Sequence, residues 1–181
     1  MLNGIGLVTG DPTIKISYPF VFHPGAQVTV TEPGDAKWIY MMLPLCKGDL
    51  ITEIQIVYQR TDINSDLLLM RLIEQDKPTS ATVLHNLKIK NEATGVITIT
   101  SACHIEVKKS MILKLCLNFS TIHTLLEFGA IEVKYIPEYT SMETKREDKP
   151  NLSFFRPREM EKNGKAKQIQ SKLTELLFFK F

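Results

Sequence analysis

The sequence predicts an all-β protein, an antiparallel sandwich of two sheets, followed by a C-terminal tail that holds one amphipathic helix. Three observations predict it. Between Ile14 and Ile136 apolar residues recur at every second position, the period of a strand with one face on a core and the other toward water. Short clusters of Gly, Pro, Asp and Asn separate these runs. No sustained 3.6-residue period occurs before residue 140, so no helices interleave with the strands.

In the first run Ile14, Ile16 and Tyr18 alternate with Lys15 and Ser17, and in the second Val28 and Val30 alternate with Thr29 and Thr31. Residues 38–45 are apolar on both faces, and Trp38 inside them reads as core. Ile54, Ile56 and Tyr58 form the next row, opposite Glu53 and Gln55. Residues 67–73 are again apolar on both faces, so both segments need a second cover, either the tail or another subunit. Val83, His85, Leu87 and Ile89 form one row, and Met111, Leu113, Leu115, Leu117 and Phe119 another, opposite Lys114 and Asn118. Ile131, Val133 and Tyr135 close the set. Turn residues fall between them at Pro24-Gly25, Pro33-Gly34-Asp35, Lys47-Gly48-Asp49, Asp62-Ile63-Asn64-Ser65, Asp76-Lys77-Pro78 and residues 91–95. Nine or ten strands so spaced fit a jelly roll of two four-stranded sheets with an extra strand.

After Pro137 the pattern changes, which divides the chain into a sandwich domain, residues 1–140, and a linker with docking tail, residues 141–181. Residues 141–151 are polar and charged, and Phe154 and Phe155 read as an extended anchor. Residues 165–179 read as a helix, with Ala166, Ile169, Leu173, Leu176 and Leu177 on one stripe. Phe178, Phe179 and Phe181 end the chain. Such a stripe needs a packing surface, so Phe154, Phe155, Ile169, Leu173, Leu176, Leu177, Phe178 and Phe179 are the expected interface, in cis or in trans.

A chain of 181 residues with 44% hydrophobic and 23% charged residues can build its own core without disulfides or metal. Its net charge of +2 does not argue for nucleic acid. Residues 1–141 hold 12 Lys and Arg against 14 Asp and Glu, and residues 142–181 hold 10 against 6, so a near-neutral body carries a basic tail. No apolar run is long enough for a transmembrane helix and no signal peptide is visible at the N-terminus, so the expectation is a cytoplasmic or assembly-associated protein, the alternative being a processed or trimmed chain. Cys46, Cys103 and Cys116 lack metal spacing and read as free buried thiols in strands, with one disulfide plus a spare thiol as the alternative.

The sequence contains no phosphate-binding glycine loop, no Gly-x-Ser-x-Gly and no His-Glu-x-x-His. His104 and Glu106 share a strand face and are the nearest approach to a metal or catalytic pair, but they read as a solvent-facing polar pair. His85 reads as a hydrogen-bonded, half-buried side chain, His23 as exposed, and His123 as part of a hairpin tip. The Asp62-Ile63-Asn64-Ser65-Asp66 cluster has calcium-like composition without calcium-loop spacing and reads as a hairpin turn. Tyr40 and Tyr58 could line a sheet face for a sugar.

The stretch Trp38-Ile39-Tyr40 to Leu43-Pro44-Leu45, then Gly48-Asp49-Leu50-Ile51-Thr52-Glu53-Ile54-Gln55-Ile56-Val57-Tyr58, resembles a pattern in uncharacterised bacterial jelly-roll-like β-sandwich proteins. Leu67 to Leu72 and Gly129 to Tyr135 are similar too, and the resemblance spans residues 14–137. It implies the fold and no role. The reading at this level is a non-enzymatic structural or binding module, without cofactor, that works by self-association, with a trimer favoured. The alternative is a sandwich that binds a carbohydrate or other small ligand.

Overall fold

Ten strands make up a computed structural model of the chain, which describes residues 2–3, 6–19, 25–93 and 95–138. They are β1 (Leu2–Asn3), β2 (Ile14–Ser17), β3 (Ala26–Val30), β4 (Gly34–Leu43), β5 (Leu50–Arg60), β6 (Asp66–Lys77), β7 (Ser80–Lys88), β8 (Val96–Glu106), β9 (Ser110–Phe119) and β10 (Leu126–Ile136). The linker, the helix and the docking residues expected in the tail, Phe154 to Phe179, lie outside the described residues, as does His23.

All strand pairings are antiparallel. One sheet, here sheet A, runs β2-β3-β10-β5-β8 with β1 also on β10; sheet B runs β4-β9-β6-β7. From β3 onward most successive strands alternate between the sheets. This produces the two interleaved orders 3-10-5-8 and 4-9-6-7, the double-sheet arrangement of a jelly roll. The expected antiparallel two-sheet sandwich is therefore the fold of the described residues.

The core is the sum of the inward rows. Ile51, Ile54, Ile56 and Tyr58 of β5 meet Met111, Leu113, Leu115, Leu117 and Phe119 of β9, with Leu67, Met70 and Leu72 of β6 and Phe128 and Ile131 of β10. All are buried, and the Tyr58 and Phe128 rings stack at 5.7 Å between centroids. Each such side chain contributes about 1.5–3 kcal/mol when removed from water, which orients both sheets.

Two loops expected as hairpins are not hairpins. Residues 61–65 carry the chain from β5 in sheet A to β6 in sheet B, and the His123 loop carries it from β9 in sheet B to β10 in sheet A. Both turns lie at one end of the sandwich, where they are bound together. Asn118 Nδ2 donates to Asn64 O at 2.8 Å, Ser120 N donates to Ser65 Oγ at 2.8 Å, and Ser120 Oγ donates to Asp62 Oδ2. The Ser120 hydroxyl and the Asn64 amide hold the Asp62 carboxyl below the usual carboxylate range.

The expected row Val83, His85, Leu87 also breaks. His85 pairs with inward Leu72 but Val83 pairs with Ile73, so one extra residue at Leu84 turns Val83 out to 51% exposure. His85 stays half-buried, 2.8 Å from Ser101 Oγ. Of the three thiols, Cys116 is buried, Cys103 half-buried and Cys46 exposed in the β4–β5 loop; all are free. Cys46 therefore departs from the expectation of a buried strand thiol.

Candidate functional site

The outer face of sheet B gathers aromatic, cationic and amide side chains through a one-residue irregularity in β4. Gly34 pairs with Phe119 and Lys37 with Leu117, so β4 carries one extra residue between two consecutive inward positions of β9. Ala36 lies in that bulge with φ of 54°, in the left-handed region that a residue with a Cβ rarely enters. Without the extra residue Trp38 would pair with Leu115 and point into the core. With it, Trp38 pairs with Cys116, and Ile39, Met41 and Leu43 take the inner row.

Trp38 is thus not the core residue its apolar strand suggested. It is half-buried on the outer face, beside half-buried Tyr40 and exposed Met42. Tyr58, the other tyrosine expected on a sheet face, is fully buried between the sheets. The double apolarity of residues 38–45 and 67–73 comes from this outer face, which carries Leu69, Arg71 and Ile73 from β6 in line with the β4 side chains.

Cross-strand register sets the neighbours. Tyr40, Lys114, Arg71 and Asn86 form one row across all four strands. Trp38, Cys116, Leu69 and Lys88 form the next row on one side, and Met42, Ile112, Ile73 and Val83 the next on the other. Lys114 Nζ lies 4.6 Å from the Trp38 ring centroid and 5.0 Å from that of Tyr40. Arg71 Cζ lies 5.2 Å from the Trp38 ring, and Arg71 Nε donates to Asn86 Oδ1 at 2.7 Å. Cation–π attraction of about 0.5–2 kcal/mol per contact holds both cations over the rings. Burial pushes the Cys116 thiol up, which keeps it protonated between Trp38 and Leu69. Such a face offers ring surface, hydrogen-bond donors and positive charge, and no nucleophile poised with a base.

The pair read from the sequence lies elsewhere. His104 and Glu106 are both exposed on β8, as alternation requires, and line a cleft of about 510 Å³ with Gly48, Leu50, Ile136, Pro137 and Glu138. Cys103, next to His104, faces the other way and lies 3.9 Å from Ile51 O. Among the described residues no group of three His, Cys, Asp or Glu side chains could hold a metal ion.

A buried polar cluster at the loop end is structural. Arg60 Nη1 lies 2.7 Å from Asp66 Oδ2, with side chains 2% and 12% exposed. Arg60 Nη2 donates to Asn91 O and Ala93 O at 2.9 Å each, while Tyr58 OH and Leu67 N donate to Asp66 Oδ1 at 2.5 and 2.8 Å. The cluster ties β5, β6 and the β7–β8 loop. Burial, then the bond to Asp66, pushes the Tyr58 hydroxyl far above its ordinary value.

No family model and no curated protein sequence matches the chain. Several solved structures align with the chain. "CBM4 structure and function" aligns over 72% of this chain and 85% of its own at 14% identity and a TM-score of 0.47. The Clostridium thermocellum xylanase 10B CBM22-1–GH10 modules complexed with xylohexaose align over 74% of this chain and 26% of theirs, at 10% identity and a TM-score of 0.49. Carbohydrate-binding module CBM36, in complex with calcium and xylotriose, aligns over 74% of this chain and 98% of its own, at 11% identity and a TM-score of 0.43. Likenesses of this size carry no argument about ligand, which must come from the side chains of this chain.

Proposed function

We propose that this protein is a non-catalytic saccharide-binding sandwich whose ligand lies across the outer face of sheet B. The observation that carries the reading is the Trp38–Tyr40 pair, two aromatic rings on successive outward positions of one strand, bordered by Lys114, Arg71 and Asn86. A sugar ring presents an apolar face of C–H groups and a rim of hydroxyls. Aromatic surface takes the first, and fixed amide and guanidinium groups take the second. Among the described residues Trp38 and Tyr40 lie outside the core, on the face turned away from it, so core packing does not account for them. The self-association expected from the doubly apolar strands has no separate support, because their second apolar face is this platform.

Affinity gel electrophoresis against a panel of soluble polysaccharides tests the reading. Wild type is expected to be retarded by at least one polymer. Trp38→Ala should weaken that retardation by about tenfold or more, the size typical of removing an aromatic anchor. His104→Ala, on the other sheet, should leave it unchanged. No retardation by any polymer, or equal retardation of wild type and Trp38→Ala, would reject the assignment.

A further inference from the structure

We propose that the saccharide taken by this face is acidic, a polymer carrying uronic-acid carboxylates, and that Arg71 and Lys114 receive the carboxylate. The inference rests on the saccharide reading above and goes on to name the ligand class.

Charge comes first. The three rows that cross sheet B through Trp38, Tyr40 and Met42 hold Lys114, Arg71 and Lys88 and no Asp or Glu. Elsewhere four described cations meet carboxylates, Lys37 with Asp11, Arg60 with Asp66, Lys109 with Asp76 and Lys134 with Glu53, while Lys15, Lys47, Lys77, Lys90 and Lys108 are exposed to water. Lys114 and Arg71 are half-buried, yet among the described residues neither has a carboxylate within ion-pair distance. Asp35, exposed within the β4 bulge, acts on Cys116 alongside Arg71 and Lys114 but forms an ion pair with neither cation. Their partners are π faces and one neutral amide. Two half-buried cations side by side repel each other, and an incoming anion relieves that.

Geometry comes second. Asn86 engages the Arg71 Nε, which fixes the plane of the guanidinium and leaves the two Nη groups for an end-on fork with a carboxylate. Lys114 lies between the Trp38 and Tyr40 rings. A neutral sugar stacking there must displace the ammonium and lose two cation–π contacts. An acidic sugar draws the ammonium off the rings into an ion pair, so the same movement that frees the ring surface forms a new bond.

Affinity gel electrophoresis of the full chain tests this with three uronate polymers (polygalacturonate, alginate and hyaluronate), three neutral ones (xylan, glucomannan and galactan) and dextran sulfate as a sulfate control. At least one uronate polymer should retard wild type more than every neutral polymer and more than dextran sulfate. Lys114→Met with Arg71→Gln should reduce that retardation about thirtyfold or more, and Lys114→Gln alone should reduce it in part. Lys15→Gln, which removes a charge from sheet A, should leave it unchanged. Raising salt from about 0.05 to about 0.3 M should weaken it, since shorter screening lengths cut ion pairing. Circular dichroism melts establish that each variant is folded. If a neutral polymer binds best and the Lys114 and Arg71 variants retain it, the acidic assignment is wrong while the saccharide reading stands. If dextran sulfate matches the best uronate, charge alone is recognised and the carboxylate assignment is wrong. If no polymer binds, both proposals fall.

Discussion

Tyr58, Arg60 and Asp66 show how single residues in this protein divide between holding and presenting. Arg60 and Asp66 are separated by the loop that crosses from one sheet to the other, so their ion pair fastens the sheets at that crossing. Truncating one partner leaves the other charged and buried. Asp66→Ala is expected to cost about 3–5 kcal/mol in urea denaturation, far above a surface substitution. Tyr58 gives a pH test. Its folded-state pKa is raised, so the unfolded chain releases this proton first, near pH 10. The stabilising contribution is complete below that pH and declines as pH rises above it, by about 1.4 kcal/mol per unit. Tyr58→Phe should be less stable at pH 7 but should lose less stability per pH unit above 10 than wild type. Parallel losses in the two proteins would show that Tyr58 does not titrate in this way.

Among the elements, β4 decides where the aromatic pair goes. One extra residue exchanges its two faces, because side chains alternate strictly along a strand. The sequence hides this exchange. Trp38, Tyr40 and Met42 are as apolar as Ile39, Met41 and Leu43, so alternation cannot tell the rows apart, and the left-handed residue is an alanine rather than a glycine. In β5 and β9 the inward rows Ile54, Ile56 and Tyr58 and Met111 to Phe119 were legible, marked by Glu53, Gln55, Lys114 and Asn118 opposite them, whereas Tyr135 of the expected β10 row is 45% exposed. The crossings after β5 and β9 were not legible, because turn residues mark where a strand stops and not which sheet the next one joins. The candidate site shared the fate of β4: its cations and amide could be placed on strands, but its tryptophan was assigned to the core. The bulge is open to test. Ala36→Gly removes the Cβ from a left-handed position and should raise stability by up to about 1 kcal/mol, whereas Ala36→Val should lower it by about 1–2 kcal/mol. A reversed order in denaturant midpoints would contradict the assigned bulge.

For the whole molecule, the jelly roll supplies two outer faces with different chemistry. Sheet A carries a cleft of about 180 Å³ beside Gly25, Val57 and Gly129, where Gln59 Nε2 donates to Glu127 Oε2 at 2.9 Å. Sheet B carries the aromatic and cationic platform, which stands on packed inner rows of strands rather than on loops. Binding there should need little rearrangement beyond the Lys114 side chain, so affinity should respond to the ring and cation substitutions and hardly to changes in the 61–65 loop. The chain contains a single tryptophan, and it is Trp38. Its fluorescence therefore reports on the platform alone. The most direct test titrates the wild-type protein with a polysaccharide that binds in affinity electrophoresis while following Trp38 emission. The account predicts a saturable change in emission whose midpoint equals the binding midpoint measured by calorimetry. Calorimetric binding with no change in Trp38 emission would place the ligand elsewhere on the molecule and contradict the account.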